Sequence, residues 1–549
     1  MTTTQDVDSR IASLFPTAAQ VPADTQVAPD GGPYSDGLNY LVDGQVKRWT
    51  GKTEDVKSCI CIRDGEALER RVLGPAAQLT REEALAAGDA ADRAYDKGRG
   101  VWPTMRVQDR IEAVSAFNTA MVTVREPVVR LLMWEIGKSR ADAEREFDRT
   151  VVYVNDTVEA LKEMERGAAR FSRHNGVMAQ IRRTALGPTL CMGPFNYPLN
   201  ETFTTLIPAL IMGNPCVVKL PRFGQLCLAP LLPLFAQSFP PGVVNVVNGQ
   251  GSVVAGPLME SGKINSLAFI GSSRVANVLK KQHPMPNRLR SVLGLDAKNP
   301  AVILPDADLQ AAAKECVAGA LSFNGQRCTA IKLILVHRSK ADKFVSILSD
   351  LVDALPFGMP WEPGAKLTPL PEHDKPAHMA RLVEDAKALG ARVVNKNGGK
   401  TVGTFYFPSV VYPVVPKAAL YTHEQFGPLV PVAVYDDVDE VTEFVANSNF
   451  GQQVALFGQD PKVIGPLVDF LVNQVSRVNI NAQCQRGPDV YPFTGRKDSA
   501  EGTLSVHDAL RCFSIRSMVA VGDDARGQAV MQSLLRERTS TFVNTDYVF

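Results

Sequence analysis

The segments TLCMG (residues 189–193), PCVVKL (215–220), VVNVVNG (243–249), SLAFIG (266–271) and AVIL (301–304) repeat one pattern, a short apolar run followed by helical spacing. Such alternation specifies parallel strands whose faces are covered by helices. A second set follows Cys328, with IKLILVH (331–337), ARVVN (391–395), LVPVAVY (429–435) and RVNIN (477–481), and predicts a second α/β domain. Upstream, LNYLVDGQVKRW (38–49) alternates around Asp43-Gly44 as a hairpin and marks where compact structure is expected to begin. TREEALAAGDAADRAYDKG (80–98) is a helix with Thr80 as N-cap and Glu83 closing a capping box, and VQDRIEAVSAFNTAMVTVR (107–125) continues helical spacing. Residues 1–37 have no sustained periodicity and are expected to form a partly ordered arm, while 522–549 combine a helix-like segment with an apolar end.

Bulk properties bound the function. A chain of 549 residues exceeds a single core and suggests two or three domains. Lys plus Arg (59) nearly cancels Asp plus Glu (58), so there is no global field for nucleic acid or an anionic membrane, and anion binding must be local. No apolar run approaches the ~20 residues a membrane helix needs. The start, MTTTQDVDSRIASLF, has neither the basic region nor the apolar core of a targeting peptide. Nine scattered cysteines form no disulfide framework and fit a reducing, cytoplasmic setting. Cys59 and Cys61 have no second pair at ligand spacing, so no metal site is expected and alternating strand positions explain them.

Four fragments carry candidate chemistry, each with a plain structural alternative. In FNGQRCTAIK, Cys328 lies between Arg327 and Thr329, and a neighbouring cation with nearby backbone N–H groups favours the attacking thiolate. A buried structural cysteine is the alternative. GPFNYPLN places Asn196 in a tight turn after a strand, where its amide can donate to an oxyanion; otherwise it is an Asn-Pro loop. VVKLPR puts Lys219 and Arg222 at a strand end, where they hold a 2′-phosphate or are solvated surface. FIGSSRVANVL opens a helix with Gly271 and Ser272, an anion site for a pyrophosphate.

Together these fragments resemble one family. PFNYP, KLP, PPGVVNVVNGQG, FIGS, GQRCTA and EQFGPLVP occur in the order found in aldehyde dehydrogenases, over about residues 39–521. NGQRCTAIK with QRGPDVYPFTGRKDS (485–499) is most similar to the NADP-dependent, non-phosphorylating glyceraldehyde-3-phosphate dehydrogenase subgroup. The resemblance implies an α/β aldehyde dehydrogenase fold, with a Rossmann-like cofactor domain at 38–166 and 186–296 and a catalytic domain at 297–500. It further implies an oligomerisation flap at 167–185 and 501–521, between terminal extensions 1–37 and 522–549, and a homodimer or homotetramer.

The resemblance also implies roles. Cys328 is the nucleophile, with its oxyanion held by Asn196 and the Cys328 N–H. Lys219 binds the adenosine ribose, Glu424 the nicotinamide ribose, and Phe426 packs beside it. Arg222 replaces a glutamate frequent in NAD-preferring members and so favours NADP, with NAD as the alternative. Arg149, Tyr197, Arg327 and Arg486 hold the substrate phosphate, since guanidinium forks suit phosphate oxygens. The chain departs from the pattern at LGLDAK (293–298), where the family's general-base glutamate is replaced by Gly294. If this segment is extended, Asp296 shares a face with position 294 and takes over as base, or it caps a turn. The expected reaction is oxidation of glyceraldehyde 3-phosphate to 3-phosphoglycerate through a Cys328 thioester. The alternatives are another or a coenzyme A-acylating aldehyde dehydrogenase, and a catalytically weakened nucleotide-binding relative.

Overall fold

The computed structural model describes residues 7–28 and 32–546. The runs that open the sequence reading build an eight-stranded sheet in the order 45–48, 39–42, 244–247, 216–219, 189–192, 266–270, 290–294 and 500–501. Its five inner strands are parallel, and Thr189–Met192 lies between Cys216–Lys219 and Ser266–Ile270 in continuous register. Every residue of these three strands is buried, as burial beneath helices on both faces requires. Helices Arg81–Tyr95 and Gly251–Glu260 cover one face through Ala84, Ala87, Ala91 and Leu258, and helix Asn200–Ile211 packs on the other with Phe117, Phe203 and Phe235. The 39–48 hairpin turns through Asp43 (φ 56°) and Gly44 (φ 74°), and Thr80 caps its helix in a capping box with Glu83.

AVIL belongs elsewhere than its place in the first alternation implies. Asn299–Ile303 pairs with Ile331–His337 and Gln453–Phe457 inside a second sheet, ordered 392–393, 409–412, 429–435, 331–337, 299–303, 453–457, 477–480. An apolar run encodes strand formation but not which distant partners it joins. ARVVN supplies only Arg392–Val393, an antiparallel edge. A third sheet pairs Val177–Ala185 with Phe171–His174 and, over nine residues, with Ser514–Gly522.

The expectation that compact structure begins near residue 38 is corrected. Ile11 and Phe15 are buried in the main core, Arg63 N donates to Pro16 O (2.8 Å), and Trp134 Nε1 donates to Thr25 O (2.8 Å). A few anchoring side chains dock this arm without any periodic pattern. At the other end, helix Ala525–Glu537 packs Met531 against Met178 beside Val543, and Asn544 accepts from Gln180 and Arg182. Among the described residues no helix is long and apolar enough to cross a membrane, and no group of His, Cys, Asp and Glu is placed to hold a metal.

Candidate active site

Cys328 sits on a loop whose backbone is constrained from three sides. Helix Leu309–Leu321 ends in three successive left-handed residues, Phe323 (φ 49°), Asn324 (φ 54°) and Gly325 (φ 71°). Such conformations are unfavourable for side-chain-bearing residues and persist where neighbours dictate them. Asn324 exchanges hydrogen bonds of 3.1 Å with the Thr368 backbone in both directions. At Gly325 a β-carbon would lie 2.6 Å from Gly427 O and 2.7 Å from Ala320 O, so only glycine fits. Asn299 Nδ2 donates to the carbonyls of Cys328 (2.8 Å) and Ala330 (3.1 Å), fixing the far side of the loop.

The Asn196 turn meets this loop directly. Asn196 Nδ2 donates to Gln326 O at 2.8 Å, and the following Leu199 and Asn200 N–H groups both donate to the buried Glu146 carboxylate at 3.1 Å. Glu146 is in turn paired with buried Lys138, whose ammonium stands 3.5 Å from the centre of the Tyr197 ring. Asn196, Tyr197, Arg149, Arg327, Cys328 and Arg486 all line one cavity of about 610 Å³.

The charges around that cavity differ from the sequence reading. Arg149 binds Asp489 through two hydrogen bonds, Arg486 is buried against Glu201, and its Nε lies 3.3 Å from Asp489. Two of the four residues expected to hold a phosphate therefore have carboxylate partners. Arg327 has none among the described residues: its Nη2 donates to Ala318 O and Gly319 O, and its buried Nε has no acceptor. Lys314 and Lys366 add positive charge to the lining. The expected activation of the thiol by Arg327 is also corrected. Burial pushes the Cys328 thiol up to about 11 and the Glu201 charge adds to this, while Arg486 and Lys332 only oppose it. Of these unforeseen groups, Asp489 was legible three residues after Arg486, whereas nothing in the sequence signalled Glu201.

Buried Glu424 Oε1 lies 3.2 Å from the Lys332 ammonium, an ion pair without hydrogen-bond geometry. Burial raises its carboxyl, Lys332 opposes this, and the Asp296 charge adds to it. Lys298 and Lys332 anchor the neighbouring backbone at Leu420 and Gln425. Phe426 contacts Phe195 at 5.6 Å, and Phe195 contacts Phe223 at 6.0 Å, forming an aromatic row toward a second cavity. That cavity, about 680 Å³, is lined by Lys219, Arg222, Phe223 and Asn248. Among the described residues Lys219 is buried with no ion-pair partner, and that burial pushes it down to about 8. The Glu135 carboxylate accepts from Gln225 N (2.9 Å) and Leu226 N (3.0 Å), holding the loop after Arg222. A buried ammonium with no ion-pair partner among the described residues fits the anionic part of a nucleotide lying toward the aromatic row.

Asp296 departs from the role of base. Its Oδ2 accepts from Ser273 N at 2.7 Å, at the start of helix Ser273–Gln282, and it does not line the Cys328 cavity. The helix terminus at Gly271-Ser272, expected to receive a pyrophosphate, thus already carries a carboxylate, together with the Ser272 side chain accepting from Val275 N. The strand ends at Gly294, so the two-residue alternation that would place Asp296 beside position 294 stops there. A β-carbon at Gly294 would meet Leu504 Cδ1 at 3.3 Å and Ile270 Cγ1 at 3.5 Å, close packing that a small shift accommodates.

Residues 61–519 match the sequence model of the aldehyde dehydrogenase family. The chain belongs to that family. This aldehyde dehydrogenase is 32% identical over 457 residues to the NADP-dependent glyceraldehyde-3-phosphate dehydrogenase of Streptococcus equinus, covering 82% of this chain and 92% of the relative. It is 29% identical over 482 residues to the enzyme of the same name from Arabidopsis thaliana, covering 86% and 94%. The crystal structure of the NADP-dependent glyceraldehyde-3-phosphate dehydrogenase of Bacillus halodurans C-125 complexed with NADP superposes with a TM-score of 0.80 at 28% identity, covering 89% of this aldehyde dehydrogenase and 99% of that chain.

Proposed function

We propose that this aldehyde dehydrogenase oxidises a small phosphorylated aldehyde, with glyceraldehyde 3-phosphate as the leading substrate, and uses NADP. The observation that carries the reading is the cavity joining Cys328 and Asn196 to Arg149, Tyr197, Arg327 and Arg486, where buried Arg327 Nε lacks an acceptor. An anionic substituent on the substrate meets that need, and the relatives named above support the choice.

Cys328 gives its thiol proton to solvent and adds as the thiolate to the aldehyde carbon, whose oxygen becomes the oxyanion of the thiohemiacetal. Asn196 donates to the developing oxyanion, alongside the Cys328 N–H. NADP, when bound, would supply the acceptor for the hydride that leaves the aldehyde carbon. Lys219 and Arg222 hold its adenosine ribose, while Glu424 accepts from a nicotinamide-ribose hydroxyl and Phe426 packs beside it. Water then releases the acid. Because position 294 is glycine and Asp296 is engaged with Ser273, a second reading passes the acyl group to another acceptor, such as coenzyme A. The free face of Ser514–Gly522, with Ile515 and Met518 exposed, suits pairing with a second copy.

The deciding experiment follows NADPH formation with glyceraldehyde 3-phosphate, without phosphate or coenzyme A, from the first enzyme equivalent into steady state. Sustained turnover is expected. A single-equivalent burst supports the acyl-transfer reading, and no signal with this or other simple aldehydes refutes both.

A further inference from the structure

The second cavity has a cation that neither the Lys219 nor the Arg222 motif predicts. Arg70 lies on strand Ala67–Ala77 and reaches back across its hairpin, where Nε donates to Ser58 O and Nη2 to Lys57 O, both at 2.8 Å. These bonds orient the guanidinium plane and, among the described residues, leave Nη1 uncommitted. Arg70 lines the cavity together with Lys219 and Arg222, and Arg222 acts on it as a like charge. Glu54 and Asp55 line the same cavity, yet among the described residues no carboxylate lies within ion-pair distance of any of the three cations. Like charges gathered without an ion-pair partner are unfavourable, and Lys219 carries the further cost of burial. The first turn of helix Gly251–Glu260 adds backbone N–H groups at Gly251, with no side-chain cap at Gln250. With Lys57 also in the lining, four cations outnumber the carboxylates of Glu54 and Asp55, and the balance favours an anion with more charge than a ribose hydroxyl carries.

We propose that Arg70 is a specificity residue for the cofactor: with Lys219 and Arg222 it clamps the 2′-phosphate of NADP and thereby sets the preference over NAD. The inference rests on the NADP reading above. A monoester phosphate carries about −1.5 to −2 charge near neutral pH, enough to compensate the cluster. The fork held on the 57–58 carbonyls is pre-organised, so its ordering is already complete before the phosphate arrives.

Binding of NADP, NAD, 2′,5′-ADP and 5′-AMP to the full chain, measured by titration calorimetry, tests this without reference to turnover. The parent protein should bind 2′,5′-ADP and NADP at least about tenfold more tightly than 5′-AMP and NAD. In Arg70→Met that advantage should shrink by about tenfold through weaker binding of the 2′-phosphorylated ligands alone. Arg70→Lys, which retains charge but loses the fork, should fall between. An equal loss for all four ligands would make Arg70 a hairpin brace and overturn the proposal. A parent preference that survives Arg70→Met would overturn it while sparing the NADP reading, and a parent protein indifferent to the 2′-phosphate would remove both.

Discussion

Arg149 and Asp489, 340 residues apart, face each other through two hydrogen bonds of 2.7 and 2.6 Å at the wall of the Cys328 cavity. The pair joins the long helix Arg140–Ala168 to the QRGPD loop and continues into Arg486 and Glu201. Two guanidinium groups and two carboxylates neutralise each other, so the charge left to attract an anion comes from Arg327, with Lys314 and Lys366 in the same lining. Arg327→Met should raise KM for glyceraldehyde 3-phosphate by about tenfold or more, while KM for an uncharged aldehyde stays within about threefold. Arg149→Met should act mainly on stability, at about 2–3 kcal/mol in urea denaturation, because Asp489 loses its closest partner in a largely buried setting. Equal KM effects of Arg327→Met on both aldehydes would remove Arg327 from anion recognition.

The thiol of Cys328, pushed up to about 11 by burial and by Glu201, should be sluggish without cofactor. Its alkylation by iodoacetamide should accelerate with pH across the neutral and alkaline range, because only the thiolate reacts. Glu201→Gln removes the carboxylate that most disfavours the thiolate and should speed alkylation at pH 8 by about threefold or more. An unchanged rate would mean that Glu201 has no electrostatic hold on the nucleophile.

Asp296 acts as a helix cap in this geometry, so Asp296→Asn, which keeps an acceptor, should retain steady-state turnover within about twofold. Asp296→Ala should also turn over but lose about 1 kcal/mol of stability with the cap. A collapse of the steady state in Asp296→Asn, with the initial burst preserved, would restore Asp296 as the water-activating base.

Burial raises the Glu135 carboxyl to about 7, against the lowering effect of the backbone N–H groups at Leu226, Gln225 and Gly224. A carboxyl raised in the fold contributes its stabilising protonation fully below the unfolded value of about 4.3, and loses it as pH rises through about 7. Parent stability should therefore decline across that window more steeply than that of Glu135→Gln. Parallel melting profiles of the two proteins between pH 5 and 8 would contradict this.

The capping box at Thr80, the Asp43-Gly44 hairpin and the run of buried parallel strands were legible because each rests on local chemistry: a side chain three residues from its partner, a turn with positive φ, or a period. The order of PFNYP, KLP, GQRCTA and EQFGP likewise pointed to the family, and residues of the first three motifs line the two cavities. The sequence by itself determined these elements and the chemical types at the site. Only the tertiary structure decided which sheet receives Asn299–Ile303, that Asp296 faces Ser273 rather than the nucleophile, that Glu201 pairs with Arg486 behind the Cys328 cavity, and that Arg70 lines the second cavity. Each of these depends on a contact between segments separated by tens to hundreds of residues, where pairing and charge compensation are set by packing rather than by local pattern.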